Sequence, residues 1–245
     1  MPSVLYYEHE ISNLLDFTRK ACLSEDEFSD FINKLTVRLQ QAYDKNDVPY
    51  LMERVYKNSV YMDGEWWVSL YKIGFSESSA NDIVRELYAK EICGGLVSLD
   101  VYLSKYERIW NLCLKELDQN KNHIFEGALL HNPLLDLIGH YMLSDDEILL
   151  FYKELFDVIN PEYAKIEYIL PDSVRNVIQK AAYERKASVP LWKDSLINWS
   201  ENCSYGKKHA LKGMEGAITL CEEMTRVQCL VCECLSLPVN IIRRK

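Results

Sequence analysis

Two carboxylates stand where short apolar runs give way to polar turns: Glu8 in SVLYYEHE and Glu126 in HIFEGALLHNP. In a parallel sheet the carboxyl ends of the strands gather along one edge, and ligands bind in the crevice outside it. If both runs are strands of such a sheet, Glu8 and Glu126 face one cleft although they are far apart in sequence. A basic region accompanies them in an otherwise acidic chain: Arg175, Lys180, Arg185 and Lys186, then Lys207 and Lys208 within SYGKKHALKG. Cations that meet phosphate oxygens, beside carboxylates that meet a divalent metal or its waters, suit the handling of a phosphorylated ligand. On charge alone the basic region fits a solvated helix face equally well, and Glu126 fits a solubilising turn residue.

Other chemistries are poorly represented. GKKHALKG contains glycines and lysines but not the G-x-x-x-x-G-K-[ST] spacing that wraps backbone amides around phosphates. The sequence has no G-x-S-x-G elbow, no H-E-x-x-H, and no G-x-G-x-x-G after a strand. Eight cysteines in a chain of this size, without a secretory signal and irregularly spaced, read as reduced thiols. Cys229, Cys232 and Cys234 contain the C-x-x-C step of a zinc site, yet they fall in a helical pattern. Ala217, Leu220, Met224, Val227, Val231 and Cys234 recur at steps of three and four. With no second C-x-x-C or close histidine pair to complete four ligands, no metal site is assigned.

The elements that must position these residues are mostly helices. Ser24-Glu-Asp-Glu27 and Ser144-Asp-Asp-Glu147 are capping boxes, each ahead of an apolar-periodic run. Ser78 to Cys93 reads as a helix stopped by Gly94-Gly95, and Leu103, Tyr106, Trp110, Cys113 and Leu117 form a further stripe. Four short strands are expected, Val4 to Glu8, His123 to Gly127, Ala164 to Leu170 and Val239 to Arg243, separated by long helical segments. That alternation predicts an α/β fold with a parallel sheet. Pro171-Asp172-Ser173 reads as a helix start. Residues 45 to 75 have mixed periodicity and yield no assignment.

The 245 residues suit one domain, since no Gly/Ser-rich or Pro-rich linker interrupts them. Apolar residues make up 48% and charged residues 27%, which makes the chain globular. A net charge of -9 argues against broad binding to a nucleic-acid polymer, which needs a basic face to release counterions. No apolar stretch reaches the roughly 18 residues that span a bilayer, and MPSVLYYEHE lacks the features of a secretion signal. The expected location is cytoplasmic, with no membrane partner.

FEGALLHNPLLDLIGHYMLSDDEI, NPEYAKIEYILPDSVRNVIQKAAYERK and VPLWKDSLINWSENCSYGKKHALKGMEGAI resemble bacterial P-loop proteins related to thymidylate kinase. The resemblance covers nearly the whole chain, and SYGKKHALKG is its most specific stretch. It implies a P-loop nucleotide-kinase-like α/β fold with about four short parallel strands flanked by many helices. It also implies that the strand ending in Glu126 is Walker B-like, that Glu8 lies near the acceptor, and that Arg185 opens a lid over the phosphates. On this basis Glu126 and Arg185 are candidate catalytic residues; Glu8, Arg175, Lys207 and Lys208 are candidate substrate-binding residues. Complete relatives are expected to use Mg²⁺ and ATP and to transfer or hydrolyse a nucleotide phosphoryl group.

The departure from that family is specific. Its members begin with a strand, a G-x-x-x-x-G-K-[ST] loop and a helix, whereas this chain starts at what corresponds to the second strand. The expectation is therefore a single kinase-like domain, 1-245, N-terminally incomplete and without its central first strand, which belongs between the strands ending at Gly127 and Leu170. Such a sheet should show a gap, a rearranged pairing, or a partner segment in that place. The chain is then a remnant phosphotransferase that binds ATP weakly, if at all, with a nucleotide or small phosphorylated molecule as ligand. The alternative is a non-catalytic binding or scaffold protein that keeps the fold.

Overall fold

Ser24 opens an 18-residue helix by a reciprocal arrangement. Its hydroxyl accepts from the Glu27 backbone N–H at 3.2 Å, while the Glu27 carboxylate accepts from the Ser24 N–H at 2.8 Å. Helix α1 (Glu25–Ala42) then buries Phe28, Phe31, Leu35 and Leu39 on one stripe. The computed structural model describes residues 2–7, 11–74, 78–157, 159, 162, 164–235 and 237–244. The chain forms two compact units, residues 1–132 and 133–245.

In the first unit, β1 (Ser3–Tyr6) runs parallel to β5 (Asn122–Phe125), in register from Ser3 opposite Asn122 to Tyr6 opposite Phe125. Between them in sequence lie β2 (Lys20–Ser24), α1, α2 (Val48–Lys57), β3 (Ser59–Met62), β4 (Glu65–Ser69), α3 (Ser78–Glu86) and α4 (Leu99–Glu116). Strands β2, β4 and β3 make an antiparallel sheet in the order β2-β4-β3. The core of the unit sits between this sheet and α1: Ala21, Leu23, Val68 and Leu70 meet the buried stripe of α1 together with Val55, Val84 and Leu87. The Phe28 and Trp66 rings stack at 4.0 Å. Around Phe17, a second group of rings joins Trp67 and Tyr106 at 5.3 and 5.0 Å.

The second unit contains α5 (Asn132–Gly139), α6 (Asp145–Asp157), β6 (Ile166–Pro171), α7 (Val174–Glu184), α8 (Trp192–Asn202), α9 (Ser204–Lys208), α10 (Gly213–Cys234) and β7 (Val239–Arg244). Strand β6 pairs parallel with β7 from Ile166 opposite Val239 to Pro171 opposite Arg244. Helix α10 is the spine of this unit and packs on α6, α7 and α8, burying Ala217, Ile218, Leu220, Met224, Val227 and Val231. The stripe ends one turn before the expected place: Cys232 is buried, but Cys234 is exposed in the last turn.

The protein is thus α/β with short parallel sheets. All four strands expected from the sequence are present within two residues of their expected bounds, and each is parallel to its partner. They form two separate pairs, β1-β5 and β6-β7. Asn122 and Glu126 donate their backbone N–H groups to Pro2 and Tyr6 of the β1 side, at 2.9 and 3.0 Å. Strand alternation turns the backbone groups of His123 and Phe125 to the opposite edge, where no strand pairs among the described residues. In β6 the Ile166 N–H reaches Pro238 at 2.9 Å, so Glu167 and Ile169 face that strand's other edge. The helix expected over Ser78 to Cys93 is shorter: α3 ends at Glu86, a 3-10 turn follows over Leu87–Lys90, and Gly94 and Gly95 take φ of 88° and 71°.

Candidate functional site

The carboxyl ends of β1 and β5 are tied together by one buried side chain. Asn13, fully buried, donates its amide nitrogen toward the carbonyls of Tyr6, Tyr7 and Glu126 at 3.4, 3.3 and 3.2 Å. The segment that carries it is fixed by charge and turn geometry. The buried Lys20 ammonium donates to the Asn13 and Asp16 carbonyls, each at 2.5 Å. The buried Asp16 carboxylate accepts from Thr18 N–H at 2.9 Å and from the Asn132 amide at 2.8 Å. Burial pushes the Lys20 ammonium down to about 8, against the opposing pull of Asp16 and Cys93. The amide oxygens of Asn13 and Asn132 are buried and accept from no donor among the described residues. Sequence inspection misses this cluster because its members lie up to 119 positions apart and each is an ordinary turn residue in isolation.

Glu126 stands immediately after β5, with an exposed side chain, and its backbone N–H and carbonyl make the bonds to Tyr6 and Asn13. Gly127 follows at φ 70°, where a β-carbon would be strained, and its carbonyl accepts from the Asn132 N–H at 3.0 Å. Glu8, the other carboxylate candidate, lies outside the described residues.

The remaining candidates belong to the second unit. Arg175, in the first turn of α7, forms a two-pronged ion pair with Glu215 of α10, both contacts at 2.7 Å. The pair raises the arginine and lowers the carboxyl from their ordinary values. Arg185, just past α7, lays its guanidinium over the Trp192 ring at 4.8 Å. Lys207 and Lys208 are exposed at the end of α9. Lys208 lines a cavity of about 210 Å³ with Tyr205, His209, Asp145 and Glu223, while the charge of Lys207 adds to burial in lowering His140. The SYGKKHALKG block contains a tight corner. The Gly206 N–H donates to the Cys203 sulfur at 3.3 Å, and the Leu211 N–H returns to the Gly206 carbonyl at 2.9 Å.

No family model, curated protein or solved structure matches this chain. No stretch of the sequence has phosphate-loop spacing, and no group of three or more His, Cys, Asp or Glu converges among the described residues. Arg175 is already engaged by Glu215. No described helix is long and apolar enough to cross a membrane.

Proposed function

We propose that the chain is a nucleotide-kinase-like phosphotransferase framework whose 245 residues contain no phosphate loop, so that it binds Mg-ATP poorly and has little activity by itself. The observation that supports this reading is the pairing of the strands. In the related sheet the strand ahead of the phosphate loop is central, between the strands that here end near Gly127 and Leu170. Taking it away leaves two parallel pairs, and β1-β5 and β6-β7 are two parallel pairs. Phosphoryl transfer depends on positioning and on charge stabilisation by backbone amides, a lysine and Mg²⁺ at that loop. In this reading Glu126 would position the attacking group, with Glu8 near the acceptor and Arg185 toward the phosphates. Calorimetry of the chain with Mg-ATP tests it: affinity weaker than micromolar is expected, and micromolar binding would overturn it.

A second reading is a non-catalytic binding protein that keeps the same sheet. It is favoured by the bidentate Arg175–Glu215 pair, which removes one expected phosphate ligand. Glu126→Gln separates the two. A phosphotransferase role predicts lost turnover of any phosphoryl acceptor with Tm unchanged within about 1 °C, because the change lies at an exposed position. A binding framework predicts no change in either quantity.

A further inference from the structure

Between the end of α7 and the start of α8 lies an open groove of about 450 Å³, within the size range of small-molecule sites. Tyr183 stands on its rim with 83% of its surface exposed. An aromatic residue this exposed beside a groove offers a ring face for stacking. Lys186 and Lys193 both line the groove, and among the described residues neither forms an ion pair. Lys34, Lys57, Lys105 and Lys165 are each held by a carboxylate, whereas these two ammonium groups share one concavity of a chain with net charge -9. Gln179, Ala182 and Tyr183 belong to α7, Lys186 lies two residues past its end, and Lys193 sits in the first turn of α8. Arg185 is held over Trp192 at the same junction and adds a third positive charge. Asp194, also on the wall, presents an acceptor to a ring N–H or a hydroxyl.

We propose that this groove binds a small phosphorylated aromatic molecule, with its ring on Tyr183 and its phosphate between Lys186 and Lys193. Lysine ammonium groups act as compact point charges and are common ligands of phosphate oxygens. The site lies wholly within the second unit and does not use Glu126, so it stands or falls apart from the phosphotransferase reading.

The test is calorimetry of the full chain with AMP, adenosine and inorganic phosphate as separate titrants. AMP should bind at least tenfold more tightly than either fragment, because ring and phosphate act together. Lys186→Ala and Lys193→Ala should each weaken AMP about tenfold, in line with the loss of one charge-assisted bond. Tyr183→Ala should weaken it about fivefold, and Tyr183→Phe should restore the wild-type value. All three side chains are exposed, so Tm is expected to stay constant across the series. The proposal is overturned if AMP binds no better than phosphate or adenosine, or if AMP affinity survives the Lys186→Ala, Lys193→Ala double substitution unchanged.

Discussion

At the corner between α8 and α9, a β-carbon on Gly206 would lie 1.7 Å from the carbonyl oxygen of Ser200. The obstacle is backbone, so no rotamer change relieves it. Gly206→Ala is expected to lower unfolding free energy by about 3 kcal/mol or more, read by chemical denaturation. Lys20 makes a different kind of demand. Its folded pKa of about 8 lies below the ordinary value of 10.5, so between these values the unfolded chain binds the extra proton. Stability contributed by this group therefore rises as pH increases from about 8 to 10.5. From pH 7.5 to 10 the gain is about 2 kcal/mol, and Lys20→Met should abolish that increment. The variant should also be less stable at pH 10, because the Asn13 and Asp16 carbonyls lose their donor. Equal pH slopes for the two proteins would show that Lys20 is not the titrating group.

Local signals and tertiary demands separate cleanly among the elements. Both capping boxes form as their spacing requires, and Ser24→Ala is expected to cost about 1 kcal/mol in denaturant-derived stability. The four parallel strands could be recognised because each is a brief apolar run isolated between helices. The antiparallel sheet was hidden for two reasons. In β2, four of the five residues are buried, including Lys20, so KACLS shows no alternation of inside and outside. The β3–β4 hairpin did carry a signal in its Asp63-Gly64 turn, where both residues take positive φ, 52° and 82°. That is the backbone of a tight hairpin with the twist of its strands, and the aromatic residues on either side of it obscured the period. At the strand exits, Glu126 was visible because it is charged and terminal. Asn13, which joins Tyr6, Tyr7 and Glu126, was not, since nothing local to an asparagine in a turn reveals which distant carbonyls it will meet. Pairing Arg175 with Glu215 across 40 positions was equally hidden, although the sequence did announce the helix start that carries Arg175.

For the whole molecule, charge and strand edges set the behaviour in solution. A net charge of -9 predicts no measurable anisotropy change for a labelled random-sequence DNA duplex at physiological salt; saturable binding there would require a basic face that the composition does not provide. The backbone of β5 has two unlike sides. Asn122 and Glu126 have their N–H groups locked onto the β1 side, whereas those of His123 and Phe125 point away from the only strand that pairs with β5 among the described residues. Deuterium uptake along this stretch should accordingly flicker from one position to the next, slow at 122, fast at 123, fast at 125 and slow at 126. Any added segment that silences the quick positions would mark itself as a strand partner of that edge.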